Sequence, residues 1–145
     1  MRFLINTRTD FAAFVARIAL GAVMFPHGAQ KLLGWFGGYG YSATMQFFES
    51  QGFPTALAIL AIVAEFFGAI GLIIGFLGRV AAFGIGCVMA VAIYKVHLPN
   101  GFFMDWGNTQ KGEGYEYHIL ALALALVVII KGSGALSVDR ALTKT

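Results

Sequence analysis

Residues Pro54–Phe76 read PTALAILAIVAEFFGAIGLIIGF, with Glu65 as the single ionisable side chain. A helix that is apolar on every face cannot be the surface helix of a soluble protein. About 20 apolar residues, rising 1.5 Å each, are what the hydrocarbon core of a bilayer requires. The segment therefore reads as a membrane span. Glu65 lies about eleven residues in, roughly 16 Å deep, where its side chain cannot extend to water. It must be protonated, paired or placed against a wet cavity.

Three further stretches have the same character: Phe11–Leu33, Arg79–Leu98 and Tyr115–Ile130. The expected fold is an all-α integral membrane protein, a bundle of four transmembrane helices forming one domain over residues 1–145. The last stretch is short, so it is expected to continue into Gly132–Leu136 or to stand close to the bilayer normal. Composition agrees. The 145 residues are 59% hydrophobic and 12% charged, against about 25% charged in soluble domains, and mean hydropathy is +0.78. The first stretch has no small-residue cleavage site ahead of a soluble domain, so it is read as a span and not as a signal peptide.

The net charge of +3 comes from scattered residues, with no basic face that could track phosphates, which excludes nucleic acid as a partner. The basic residues are topology signals. Arg2, Arg8, Arg79, Lys131, Arg140 and Lys144 fall on one side, and Lys31, Lys95 and Lys111 on the other. The excess places both termini in the cytoplasm. Cys87 is alone, which excludes an internal disulfide and a CxxC redox motif, and it is expected to pack as a small hydrophobe.

Gly75–Gly78 reads as a tight inner turn, and Pro99–Gly114 as a polar loop folded over the outer mouth. Between Gly34 and Phe53, Ser42 could cap a short outer-face helix running to Gln51, with Phe47 and Phe48 lying on the membrane. Aromatic residues such as Trp35, Tyr39, Phe103 and Trp106 form interfacial belts. Ala61, Gly68 and Gly75 repeat every seven residues, and Gly71 with Gly75 forms a GxxxG pair, the pattern of close helix contact.

Ionisable residues inside spans mark candidate function because burying them is costly. Glu65 is the sharpest, and His27 is its expected partner, since side chains lean toward the start of their own helix and these two helices run oppositely. Pro26 removes a backbone donor, and a kink there would open room beside His27. Arg17 and Lys31 share the broad face of His27; His97 ends the third stretch; Glu116 and Tyr117 open the fourth. No two histidines are spaced as a ligand pair on one helix, so haem or metal is disfavoured. No phosphate-binding loop, nucleophile elbow or HExxH occurs.

Taken together, His27–Leu32 (HGAQKL), Gly34–Gly38 (GWFGG), Glu65, Gly78–Ala82 (GRVAA), Val96-His97, Gly101–Phe103 and Gly114–Tyr117 (GYEY) resemble the DoxX family of small bacterial membrane proteins. Ser133 departs from the Gly-Pro-Gly of many relatives, and His118 is not demanded by the family pattern. The resemblance implies a four-helix fold in the bacterial inner membrane and a link to membrane oxidoreduction. The implied function is a component of a quinone-linked oxidoreductase, with a quinone as cofactor, lipid as surroundings and a redox protein as partner. His27 and Glu65 would then be the catalytic proton donors. Arg17, Gln30, Lys31, His97, Glu116 and Tyr117 would bind the ligand. Two alternatives stay open: a non-enzymatic anchor or assembly partner of a redox complex, and a small-solute carrier, which with so few spans would need a homo-oligomer.

Overall fold

A computed structural model describes residues 2–143. The order is α1 (Arg2–Ile5), α2 (Phe11–Leu33), α3 (Gly40–Ser50), α4 (Thr55–Ile74), α5 (Gly78–Ala92), α6 (Glu116–Lys131) and α7 (Val138–Thr143), with no strand among the described residues. After α5 the helix widens into a π turn at Ile93–His97 and tightens into a 3₁₀ turn at Leu98–Asn100. Three helical stretches are long and apolar enough to cross a membrane: Phe11–Leu33, Thr55–Ile74 and Gly78–Asn100. The 16-residue α6 is the fourth helix of the bundle.

The four long helices close a ring, α2 against α4, α4 against α5, α5 against α6 and α6 against α2. Small residues and larger apolar side chains from all four helices fill its centre, among them Leu20, Met24, Leu72, Ile85, Ala121 and Val128. Both described chain ends meet at one end of the bundle, where Gly134 N–H donates to Thr7 Oγ1 and Arg140 donates to Thr9. This is the terminal end. The opposite, loop end carries α3 and the connection from Gly101 to Tyr115.

At Gly28 the backbones of α2 and α4 meet closely. A Cβ on Gly28 would stand 2.6 Å from the backbone of Phe66, so only glycine permits this contact. Gly75, in contrast, is no helix-contact residue. It ends α4 with φ +72° and starts the tight turn to α5, so the GxxxG reading of Gly71 and Gly75 is replaced by a C-cap. The expected helix after Gly34 begins at Gly40 with no side-chain cap, so Ser42 does not cap it. Phe48 turns inward onto the cluster of Met45, Ala58 and Ile62, so of the two phenylalanines Phe47 alone is exposed. Cys87 is exposed on the outer surface of α5 and not packed in the bundle.

At the terminal end the chain does not extend α6 past Lys131. Gly132 turns with φ +83°, and residues 133–137 fold under the bundle as a non-helical segment that is buried except at the exposed side chain of Leu136. Two polar side chains make that burial tolerable. Arg17, fully buried, donates to the carbonyls of Leu72 and Ile73 at the end of α4 and to those of Ser133, Ala135 and Leu136. Asp139, 1% exposed, accepts from the N–H groups of Leu77 and Gly78 and from Ser133 Oγ. Helix C-termini leave carbonyls without partners, and a cation there also meets the negative end of the helix dipole. Arg79 serves α6 in the same way, donating to the carbonyls of Ile129 and Ile130.

Candidate functional site

Near the loop end the ring of helices encloses a cavity of about 280 Å³. Its buried acid is Glu65, which α4 presents inward at 2% exposure; the second carboxylate of its lining, Glu113, comes from the loop. Its ion-pair partner is Lys31, whose Nζ donates to Glu65 Oε2. The sequence pointed to His27 instead. Lys31 stands one turn further along α2, and its long stem leans back toward the start of that helix. Because Gly28 puts nothing between the two backbones, the ammonium reaches the carboxylate directly. His27 lines the same cavity from its open edge, exposed, with its ring 6.2 Å from that of Tyr117. The chain stays helical through Pro26.

Two more imidazoles arrive from the other side. The π turn ending α5 carries His97, whose Nδ1 lies 2.8 Å from the Glu113 carbonyl and donates to it, leaving Nε2 as the acceptor. A wide turn of this kind re-aims side chains and is common at functional sites. His118, on α6, is 6% exposed, with its ring 4.1 Å from that of His97 and 5.3 Å from that of Tyr117. Its Nδ1 is buried without a hydrogen-bond partner among the described residues. Met24 and Met89 form buried apolar walls, and Tyr117 donates its hydroxyl to Met24 Sδ.

The loop from Gly101 to Tyr115 closes over this arrangement through Met104 and Glu113. It is an ordered structure. Asp105, 8% exposed, accepts from the N–H groups of Thr109 and Gln110. Gly114 is pressed against the carbonyls of residues 101–103, where a Cβ would lie 2.3 Å from Phe103 O.

Of the residues singled out from sequence, the cavity gathers His27, Lys31, Glu65, His97 and Tyr117. Glu116 stands beside it and works on the loop, accepting from Met104 N–H. Gln30 donates to the Phe36 carbonyl and holds the turn after α2. Arg17 sits at the terminal end, where all its hydrogen bonds are to backbone carbonyls, so it does not line the cavity. The cavity also holds His118, a candidate whose role the sequence left in doubt because the family pattern does not demand it. It shares one face of α6 with Ala121, Ala125 and Val128, all buried. That helical register with small residues was the available signal.

The comparisons bear on this arrangement. The DoxX family model matches residues 12–98. The inner membrane protein YqjF of Escherichia coli K12 is 30% identical over 139 residues, 93% of this chain and 95% of YqjF. The chain belongs to the DoxX family. A second relative, named "Putative oxidoreductase CatD", of Bacillus subtilis 168, is 26% identical over 134 residues, 92% of this chain and 89% of that protein. No solved structure matches the chain. This DoxX protein is thus a membrane protein with several apolar helices. The region matched by the family model holds His27, Lys31, Glu65 and His97, whereas Tyr117 and His118 lie beyond it.

Proposed function

We propose that this DoxX protein is an integral component of an oxidoreductase in the bacterial inner membrane, and that its loop-end cavity holds a quinone or a similar small redox-active molecule. The names of its two relatives supply the membrane and the redox class. In this reading the chain crosses the bilayer four times with both ends in the cytoplasm. Arg8, Arg79, Lys131 and Arg140 gather at the terminal end, as the positive-inside rule requires. The 16 residues of α6 reach about 24 Å, so that helix stands near the bilayer normal.

The observation that carries the proposal is His118 Nδ1, buried and unpartnered in the same cavity as the Lys31–Glu65 pair. Leaving such an atom unpaired costs about 1–3 kcal/mol, which a hydrogen-bonding ligand offsets. Reducing a quinone takes two electrons and two protons, one proton to each carbonyl oxygen. The electrons come from a redox partner protein. Glu65, with Lys31 against it, and His27 at the open edge are the proton-exchanging groups of the cavity. The methionine walls suit a flat, polarisable ring.

Titrating the purified protein with a soluble quinone analogue, read by quenching of Trp35 and Trp106, tests the proposal. Wild type should saturate, and His27→Ala and Glu65→Ala should bind about tenfold or more weakly, the worth of one buried hydrogen bond to a charged or orphaned group. If both variants fold and bind as wild type does, the cavity is not a quinone site. A role as anchor of a redox complex would then account better for the chain, and Glu65→Gln would leave partner co-purification intact.

A further inference from the structure

At the terminal end, opposite the redox cavity, a second hollow of about 320 Å³ opens between the N-terminal segment, the start of α5 and the end of α6. Three cations line it, Arg8, Arg79 and Lys131, with one carboxylate, Asp10. Asp10 is taken by Lys131, whose Nζ lies 2.5 Å away. Arg79 spends its terminal nitrogens on the carbonyls of Ile129, Ile130 and Asn6, which leave its charge in place, and its Nε is buried with no partner among the described residues. Arg8 is exposed, and its guanidinium is in no described hydrogen bond or ion pair; only its backbone carbonyl accepts, from Thr7 Oγ1. Two positive charges of three therefore face the hollow without a counter-charge.

The position is that of a headgroup layer. The apolar part of α2 begins at Phe11, directly after Asp10, and α6 ends at Lys131. The rim is apolar on its membrane side. Ile130 lines the hollow at 66% exposure, Phe11 is 67% exposed, and exposed Phe3 lies 5.4 Å under the Arg79 guanidinium. A free anion would find cations here but would make no use of that hydrocarbon edge. An anion carrying acyl chains uses both. We infer that this hollow binds the phosphate of an anionic phospholipid, with Arg8 and Arg79 facing the phosphate and Ile130 and Phe11 meeting the acyl chains. Basic pockets at helix ends on the cytoplasmic face are suited to such headgroups. The inference is independent of what the loop-end cavity holds.

The test is lipid binding to the purified full chain in a neutral detergent, followed by native mass spectrometry with added phosphatidylglycerol, phosphatidylcholine or inorganic phosphate. Phosphatidylglycerol should bind at least tenfold more tightly than phosphatidylcholine, and inorganic phosphate should not compete at equal concentration. Arg8→Gln, a surface change that should leave folding intact, should weaken phosphatidylglycerol about fivefold, the worth of one basic residue at a membrane surface. Lys111→Gln, the same charge change on the loop-end connection, should leave it unaltered. Equal binding of the two lipids, or equal effects of the two substitutions, would overturn the site. Competition by inorganic phosphate as strong as by lipid would overturn the lipid assignment in favour of a free-phosphate site.

Discussion

Replacing Arg17 by methionine removes five charge-assisted hydrogen bonds while keeping a long, helix-compatible stem. The donors reach Ser133 at 2.7 Å, Leu72 at 2.7 Å, Ile73 at 2.7 Å, Ala135 at 3.1 Å and Leu136 at 2.5 Å. The five acceptors do not suffer alike. Leu72 O keeps the N–H of Gly75, and the Ile73 and Leu136 bonds are only partly buried. The bonds to Ser133 and Ala135 are buried, and those carbonyls are left without a described donor. Two orphaned acceptors cost about 1–3 kcal/mol each. The loss of the cation near buried Asp139 raises the total to about 3–5 kcal/mol, the range for breaking a buried charged network. For a chain of this length that corresponds to a fall in Tm of about 10 °C or more. Circular dichroism during heating in a mild detergent measures it, and proteolysis should release the segment after Lys131 first. Arg17→Lys should rescue little, because one ammonium cannot span acceptors on two sides. A Tm within about 2 °C of wild type would refute the clamp. At temperatures where Arg17→Met is folded, its affinity for a quinone analogue should equal that of wild type, since Arg17 is absent from the cavity.

Gly28→Ala should force α2 from α4, because the new methyl would lie 2.6 Å from Phe66 backbone atoms; we expect a loss of about 1–3 kcal/mol in stability and weaker quinone-analogue binding as Lys31 moves away from Glu65. The Asp10 carboxyl is held below its ordinary 3.8, first by the hydrogen bond from Lys131 and then by the Ala13 N–H. A depressed acid adds stability above its unfolded pKa and loses it as pH falls through the folded one. The Tm advantage of wild type over Lys131→Gln should therefore be full near neutral pH and shrink below about pH 4, and an advantage that persists or grows in acid would contradict the pairing.

The helices were legible because their cause is local. Runs such as Thr55–Ile74 are apolar on every side, and no tertiary contact is needed to make them helical in lipid. The turn at Gly75–Gly78 and a loop helix before Phe53 were legible for the same reason, through glycine and composition. The polar residues were harder. Glu65 announced itself by depth alone, yet its partner was decided by a missing side chain on Gly28, which brings Lys31 within reach. His118 looked dispensable until α6 was set beside α5 and its ring met that of His97. Arg17 resembled a ligand-binding cation, since nothing local reveals that residues 133–136 turn back beneath α2 and offer it their carbonyls.

The sequence by itself determined that the chain lives in a membrane as helices, because hydropathy over 20 residues is a property of each segment alone. Only the tertiary structure decided which charges pair, which cap helix ends and which face an open cavity. Those outcomes depend on ångström-scale distances between segments far apart in the chain, and hydropathy carries no distances.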